Sequence, residues 1–180
     1  NSSNGVNVVL NNSVNTTGGM VGILAKGTGI FTNTGTVTGT SSRKELGIVS
    51  ENTAVVNSGT ITLGSATGLS EANVGIYSKT SHPVTNTGTV TVGDNSIGVY
   101  GYSVTSSGNI ITGKNGIGIY SMGGDLTLGG SISAGTDEAV GVFTEGRGQT
   151  ITSTSDMSIG DKSYGYVIKG SDTVMNVHDA

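Results

Sequence analysis

The chain contains no cysteine, no tryptophan and a single proline, and charged residues fill only 11% of its 180 positions. Without cysteine there is no disulfide scaffold. The same absence suits a chain that crosses an oxidising compartment unfolded, since nothing can crosslink early. The net charge of −4 leaves no basic patch to neutralise phosphates, which excludes a nucleic-acid partner. No apolar run approaches the ~18 residues that span a bilayer, so no transmembrane segment is expected. No charged-then-apolar leader stands at Asn1, and there is no lipidation motif.

What is abundant is glycine, 32 residues, with much Ser, Thr and Asn. Such a composition reads as disorder unless the apolar residues keep a pattern, and here Val, Ile and Leu do. An apolar-Gly-apolar motif recurs at Val21-Gly22-Ile23, Leu46-Gly47-Ile48, Val74-Gly75-Ile76, Ile97-Gly98-Val99, Ile117-Gly118-Ile119, Val140-Gly141-Val142 and Tyr164-Gly165-Tyr166. The glycines are 25, 28, 23, 20, 23 and 24 residues apart, about 24 on average. A second motif follows half a period later, at Asn33-Thr34-Gly35, Asn57-Ser58-Gly59, Asn86-Thr87-Gly88 and Ser106-Ser107-Gly108, and then degrades.

Within each motif the period is 2, which predicts strands. Around the first glycine, the residues at −1, +1 and +3 are expected to face inward, and the glycine and +2 outward. Around the second, apolar residues four before (Phe31, Val55, Val84) and two after (Val37, Ile61, Val90) are expected inside. Three short strands and three turns per ~24 residues predict an all-β chain, a right-handed parallel β-helix (a three-sided β-solenoid) of about seven turns. The pattern starts and stops in mid-repeat. We therefore expect residues 1–180 to form one β-helix fragment of a longer protein, with partial turns at 1–18 and 171–180. Asn33, Asn57 and Asn86 share one register and are expected to form a structural ladder.

The strings NTGTVTVGDNSIGVYG (Asn86–Gly101) and GNIITGKNGIGIYS (Gly108–Ser121) resemble passenger domains of type V autotransporters. The likeness is to large fusobacterial outer-membrane adhesins and, more distantly, to vacuolating-cytotoxin-like passengers. It covers nearly the whole chain, and the matching residues are those that build turns. The resemblance implies a β-helix displayed at the surface of a Gram-negative bacterium, outside the cell, and a C-terminal β-barrel translocator elsewhere in the parent chain. It also implies adhesion to a host or bacterial surface protein or glycan. It supplies no catalytic motif.

β-Helices also house polysaccharide lyases and hydrolases, whose chemistry needs converging carboxylates. Here most acids follow turn glycines, where Asp is ordinary turn chemistry. Asp94, Lys114, Asp137 and Asp161 fall near one corner on successive turns, an arrangement of solvated ion pairs. His82 and His178 are far apart and have no nucleophile constellation. Gly113-Lys114-Asn115-Gly116-Ile117-Gly118 lacks the strand–loop–helix setting of a phosphate loop. No enzymatic activity, cofactor or metal is expected. The alternatives to an adhesin segment are a stalk without ligand, a carbohydrate-active enzyme and a toxin-like passenger that assembles laterally. A monomer is expected.

Two surface features stand out as binding candidates. One is the outward column Tyr77, Tyr100, Tyr120 and Phe143 on four successive turns, an aromatic strip for a sugar ring or a partner's apolar residues. The other is a pair of insertions at one corner on neighbouring turns, carrying Arg43, Lys44 and Glu45 in the first and Glu71 in the second.

Overall fold

A computed structural model of the chain describes residues 7–16 and 20–178, so the outer parts of the two expected partial turns lie outside the described residues. The chain winds through three parallel sheets in strict rotation. The first holds eight strands, from Val8–Leu10 to Val174–Val177. The second holds seven, from Ser13–Asn15 to Asp156–Ile159, and the third seven, from Val21–Ala25 to Tyr164–Ile168. Each strand pairs with the equivalent strand of the turns above and below, and the result is a β-solenoid of about seven turns. The one helical element among the described residues is a single 3-10 turn, Leu69–Glu71.

Register follows the sequence columns. Phe31 pairs with Val55, Val55 with Val84, Val84 with Val104, and so on to Ile151. Val37, Ile61, Val90, Ile110 and Ile132 align likewise in the second sheet. These side chains fill one continuous core along the rod with Ile48, Ile76, Val99, Ile119 and Val142 of the third sheet. No turn buries its own apolar face alone, so stacking supplies the stability. At ~4.8 Å per turn the rod is about 34 Å long.

One expectation is corrected. In the third sheet the glycine points inward and the residue before it outward. A Cβ on Gly98 would lie 2.6 Å from the Gly118 carbonyl oxygen and 2.8 Å from Cγ2 of core Ile110. Ile97 and Ile117 are half-buried and stand outside the core cluster, while Val99 and Ile119 are fully buried. Two consecutive residues therefore turn inward, and the paired register runs Ile97 to Ile117 and Val99 to Ile119, skipping the glycine. The alternation breaks in the same place on every turn, as at a bulge. Only glycine fits, because the wall there runs against both the core and the backbone of the next turn.

Each corner is closed inside by polar side chains that satisfy turn backbone and one another. Between the first and second sheets, Asn33 Nδ2 donates to Asn57 Oδ1 and Asn57 Nδ2 to Asn86 Oδ1, each at 2.8 Å. Asn86 Nδ2 continues to Ser106 Oγ at 3.3 Å, and all three asparagines are fully buried. Between the third and first sheets, the Ser50 hydroxyl donates to the Thr53 carbonyl and Ser121 to that of Tyr102, while Thr144 meets buried Gln149. The corner between the second and third sheets carries the insertions.

Candidate functional site

The outward column of the third sheet is in register from Leu24 through Val49, Tyr77, Tyr100, Tyr120 and Phe143 to Val167. Strand spacing brings the rings together. Tyr77 and Tyr100 stack at 4.9 Å between centroids with 27° between planes, as do Tyr100 and Tyr120. Tyr120 and Phe143 lie 4.7 Å apart. The ladder is capped above by Lys169, whose Nζ sits 5.2 Å from the Phe143 centroid. Below it stands Val49, which is buried.

Stacking spends the ring faces on neighbouring rings. The ladder therefore presents ring edges and three phenol hydroxyls, and the face-on platform that a sugar ring needs is taken up internally. Burial raises the Tyr100 phenol above its ordinary value, with smaller contributions from Tyr77 and Glu145. Tyr120 is pushed up to about 12, first by burial and then by hydrogen bonding to, and the charge of, the Glu145 carboxylate. A folded-state pKa above the unfolded 10.0 means the fold holds the proton more tightly. Its contribution to stability is thus whole below about pH 10 and is lost as pH climbs toward 12. Ultraviolet titration is expected to show a late-ionising phenolate class in the folded chain, which Tyr120→Phe diminishes.

Two residues beyond the aromatic column, a further outward column went unnoticed in the sequence because it repeats no residue type. It runs Lys26, Glu51 and Lys79 on the lower turns, Tyr102 and Met122 in the middle, and Glu145 and Lys169 above. Backbone bonds carry the ladder into this column, from Glu51 N to the Ala25 carbonyl, Lys79 N to Ser50, Met122 N to Gly101, Glu145 N to Ser121 and Lys169 N to Thr144. Glu51 lies 2.9 Å from Lys26 and 3.2 Å from Lys79, which hold its carboxyl below the ordinary value.

The two insertions meet at one corner, as their positions predict. Lys44 N donates to the Glu71 carbonyl at 2.8 Å and Thr67 N to that of Ser42 at 2.9 Å, with Lys44 Nζ 3.4 Å from Glu71 Oε1. Arg43, Lys44 and Glu71 lie on the surface of this knob, but Glu45 does not. Its side chain is fully buried, accepting from the Thr16 hydroxyl and from Ser41 N at 2.9 Å. Its own backbone N donates to buried Asn73 Oδ1 at 2.9 Å, and Asn73 Nδ2 reaches the carbonyls of Ser41 and Gly64. Glu45 and Asn73 thus fasten both loops from within and belong to the structural ladders.

Higher on the same corner, Lys114 Nζ lies 2.9 Å from Asp137 Oδ2, and Lys114 N bonds Asp94 Oδ1 at 2.9 Å. The lysine draws the Asp137 carboxyl below its ordinary range. Asn95 and Asn115 adopt left-handed backbone there and bond side chain to side chain at 2.9 Å. A cleft of about 500 Å3 opens between these groups and Lys162, Ser163 and Tyr164. Asp137 and Glu138 are the carboxylates of its lining, and the first is paired with Lys114. Among the described residues, no three acidic or histidine side chains group to hold a metal, and no helix is long and apolar enough to cross a membrane. No family model, curated protein or solved structure matches the chain.

Proposed function

We propose that this chain is a segment of the extracellular rod of a Gram-negative surface autotransporter, giving reach to an adhesin and displaying the outer face of the third sheet along its length. The observation that carries this reading is regularity. One outward column stays in register from Leu24 to Val167, and the aromatic ladder runs through its middle. A rod built this way sets a distance and repeats a surface, which suits weak multivalent contact better than turnover. The sequence resemblance to fusobacterial adhesins points the same way.

A second reading, a spacer without ligand, draws on the ring faces being occupied by one another. The two separate experimentally. The purified chain is applied to a glycan array and to host and bacterial cells, beside Tyr100→Ala/Tyr120→Ala. Saturable binding that drops at least tenfold in the variant supports adhesion through the ladder. Binding that survives in the variant moves the site to the Arg43–Lys44–Glu71 knob, and no binding by a folded chain supports the spacer. Antibody labelling of intact cells that produce the parent protein tests surface display.

A further inference from the structure

We propose that the outer face of the third sheet docks a second copy of this chain, side by side and with its rod reversed. The face spans the column before the glycine, the aromatic column and the charged column; the first two read almost the same in either direction, and the third reads with its signs inverted. A two-fold axis lying along the strands, between the turns of Tyr100 and Tyr120, sets each column against itself in reverse order. Tyr100 then faces Tyr120 of the second copy, and Tyr77 faces Phe143. In the column before the glycine, Ile97 faces Ile117, while Val74 and Val140 are buried within the chain.

The charged column decides the direction. Under the same axis Tyr102 meets Met122 at the centre, Lys79 meets Glu145, and Glu51 meets Lys169, so each charge of the overlapping turns finds its opposite, and Lys26 lies beyond them. A parallel arrangement needs the axis along the rod, which reverses the strands and sets the charged column against the apolar column before the glycine. Charges covered there would have no partners, which selects the reversed rod. Lys79, Glu145 and Lys169 are exposed; Lys79 shares Glu51 with Lys26, while among the described residues Glu145 and Lys169 make no ion pair within the chain.

The centre is apolar, with Tyr102 40% exposed and Ile97, Ile117 and Met122 half-buried. An apolar middle with charged pairs at both ends is the anatomy of a specific interface. The six turns that overlap, about 29 Å of rod by ~16 Å of strand, give roughly 460 Å2 per copy and about 920 Å2 in total, the size of a weak, reversible contact. This surface stands on its own chemistry and does not depend on the adhesin reading; it replaces the monomer expected from the sequence.

The test is sedimentation of the purified chain over a concentration series, with Lys79→Glu, Glu145→Lys and the two combined. The expected result is a reversible dimer whose dissociation constant rises at least tenfold in each single variant and returns toward the parent value in the combination. The folded rod tolerates these changes, since Glu51 keeps Lys26 and exposed pairs add little to stability. The cysteine-free background adds a geometric readout. Under mild oxidation, Lys79→Cys mixed with Glu145→Cys is expected to form a covalent heterodimer, while Lys79→Cys alone does not. A chain that stays monomeric throughout, single variants that dimerise like the parent, or efficient Lys79→Cys homodimer crosslinking would overturn the proposal.

Discussion

Gly88→Ala is expected to destabilise the rod by about 3 kcal/mol or more, whereas Gly68→Ala leaves it unchanged or slightly more stable. Both substitutions add one methyl group, and the surroundings separate them. At Gly88 the new carbon would run into the carbonyl oxygen of Gly59 one turn below, with the Ser58 carbonyl carbon at 2.7 Å and Gly59 N at 2.9 Å. All three are backbone atoms, so relief requires two turns to move apart and the ladder on both sides to stretch. Gly59 stands in the same relation to Gly35, and Gly108 to Gly88, so the constraint runs up the corner. A Cβ at Gly68 meets nothing within 4 Å, and its φ of −179° is open to any residue. Chemical denaturation of the two variants, followed by circular dichroism, checks the contrast. Equal midpoints would mean that adjacent turns are not packed this closely.

The second large effect is expected at Asn57. Its amide sits in the middle of the buried column, accepting from Asn33 and donating to Asn86. Asn57→Ala removes both bonds, together with a longer one to the Gly59 carbonyl, and leaves one buried N–H of Asn33 and the buried amide oxygen of Asn86 without partners. At 1–3 kcal/mol for each stranded group, the loss is about 3–4 kcal/mol. For a chain of this size that lowers the thermal midpoint by roughly 6–15 °C. Asn33→Leu/Asn57→Leu/Asn86→Leu, which strips the column of amides together, is expected to cost less than the sum of the three single leucine variants. The reason is that unpaired partners disappear along with the bonds. Leucine already occupies this column at Leu10 and Leu128, paired with Asn33 and Ser106, so the cavity accepts its shape. Additive losses would contradict a cooperative ladder.

The sequence discloses these columns unevenly, for physical reasons. Period 2 exposes the core positions of the first two sheets, because a strand with one buried face must alternate. The asparagine ladder is legible because a hydrogen-bonded amide stack needs the same residue turn after turn. The inward glycine is not. Strict alternation puts Gly98 outside, and the break that turns it inward leaves no mark except the glycine itself. Glu45 misleads in another way: a carboxylate beside Arg43 and Lys44 reads as a solvated loop residue, yet the Thr16 hydroxyl and Ser41 N hold it inside. The corner it belongs to continues as Asn73, Ser96 and Ala139, all fully buried, and no common chemistry announces that column. The aromatic column is visible from spacing alone, but spacing does not say that the rings stack on each other and turn their edges to solvent. The charged column hides because its meaning lies in the order of signs between neighbours.

Distance between two sites on one column tests the register of the whole rod most directly. Thr32 and Thr152 both point outward from the first sheet, and the register carries one to the other through Val56, Thr85, Thr105 and Thr127. Five steps of ~4.8 Å place their backbones about 24 Å apart although 120 residues separate them in sequence. With cysteine-borne spin labels at these two positions in the otherwise cysteine-free chain, pulsed electron-spin resonance is predicted to give one narrow distribution centred near that value, widened only by the label arms. A broad distribution, or a centre far from it, would contradict the stacked, in-register solenoid on which every other argument rests.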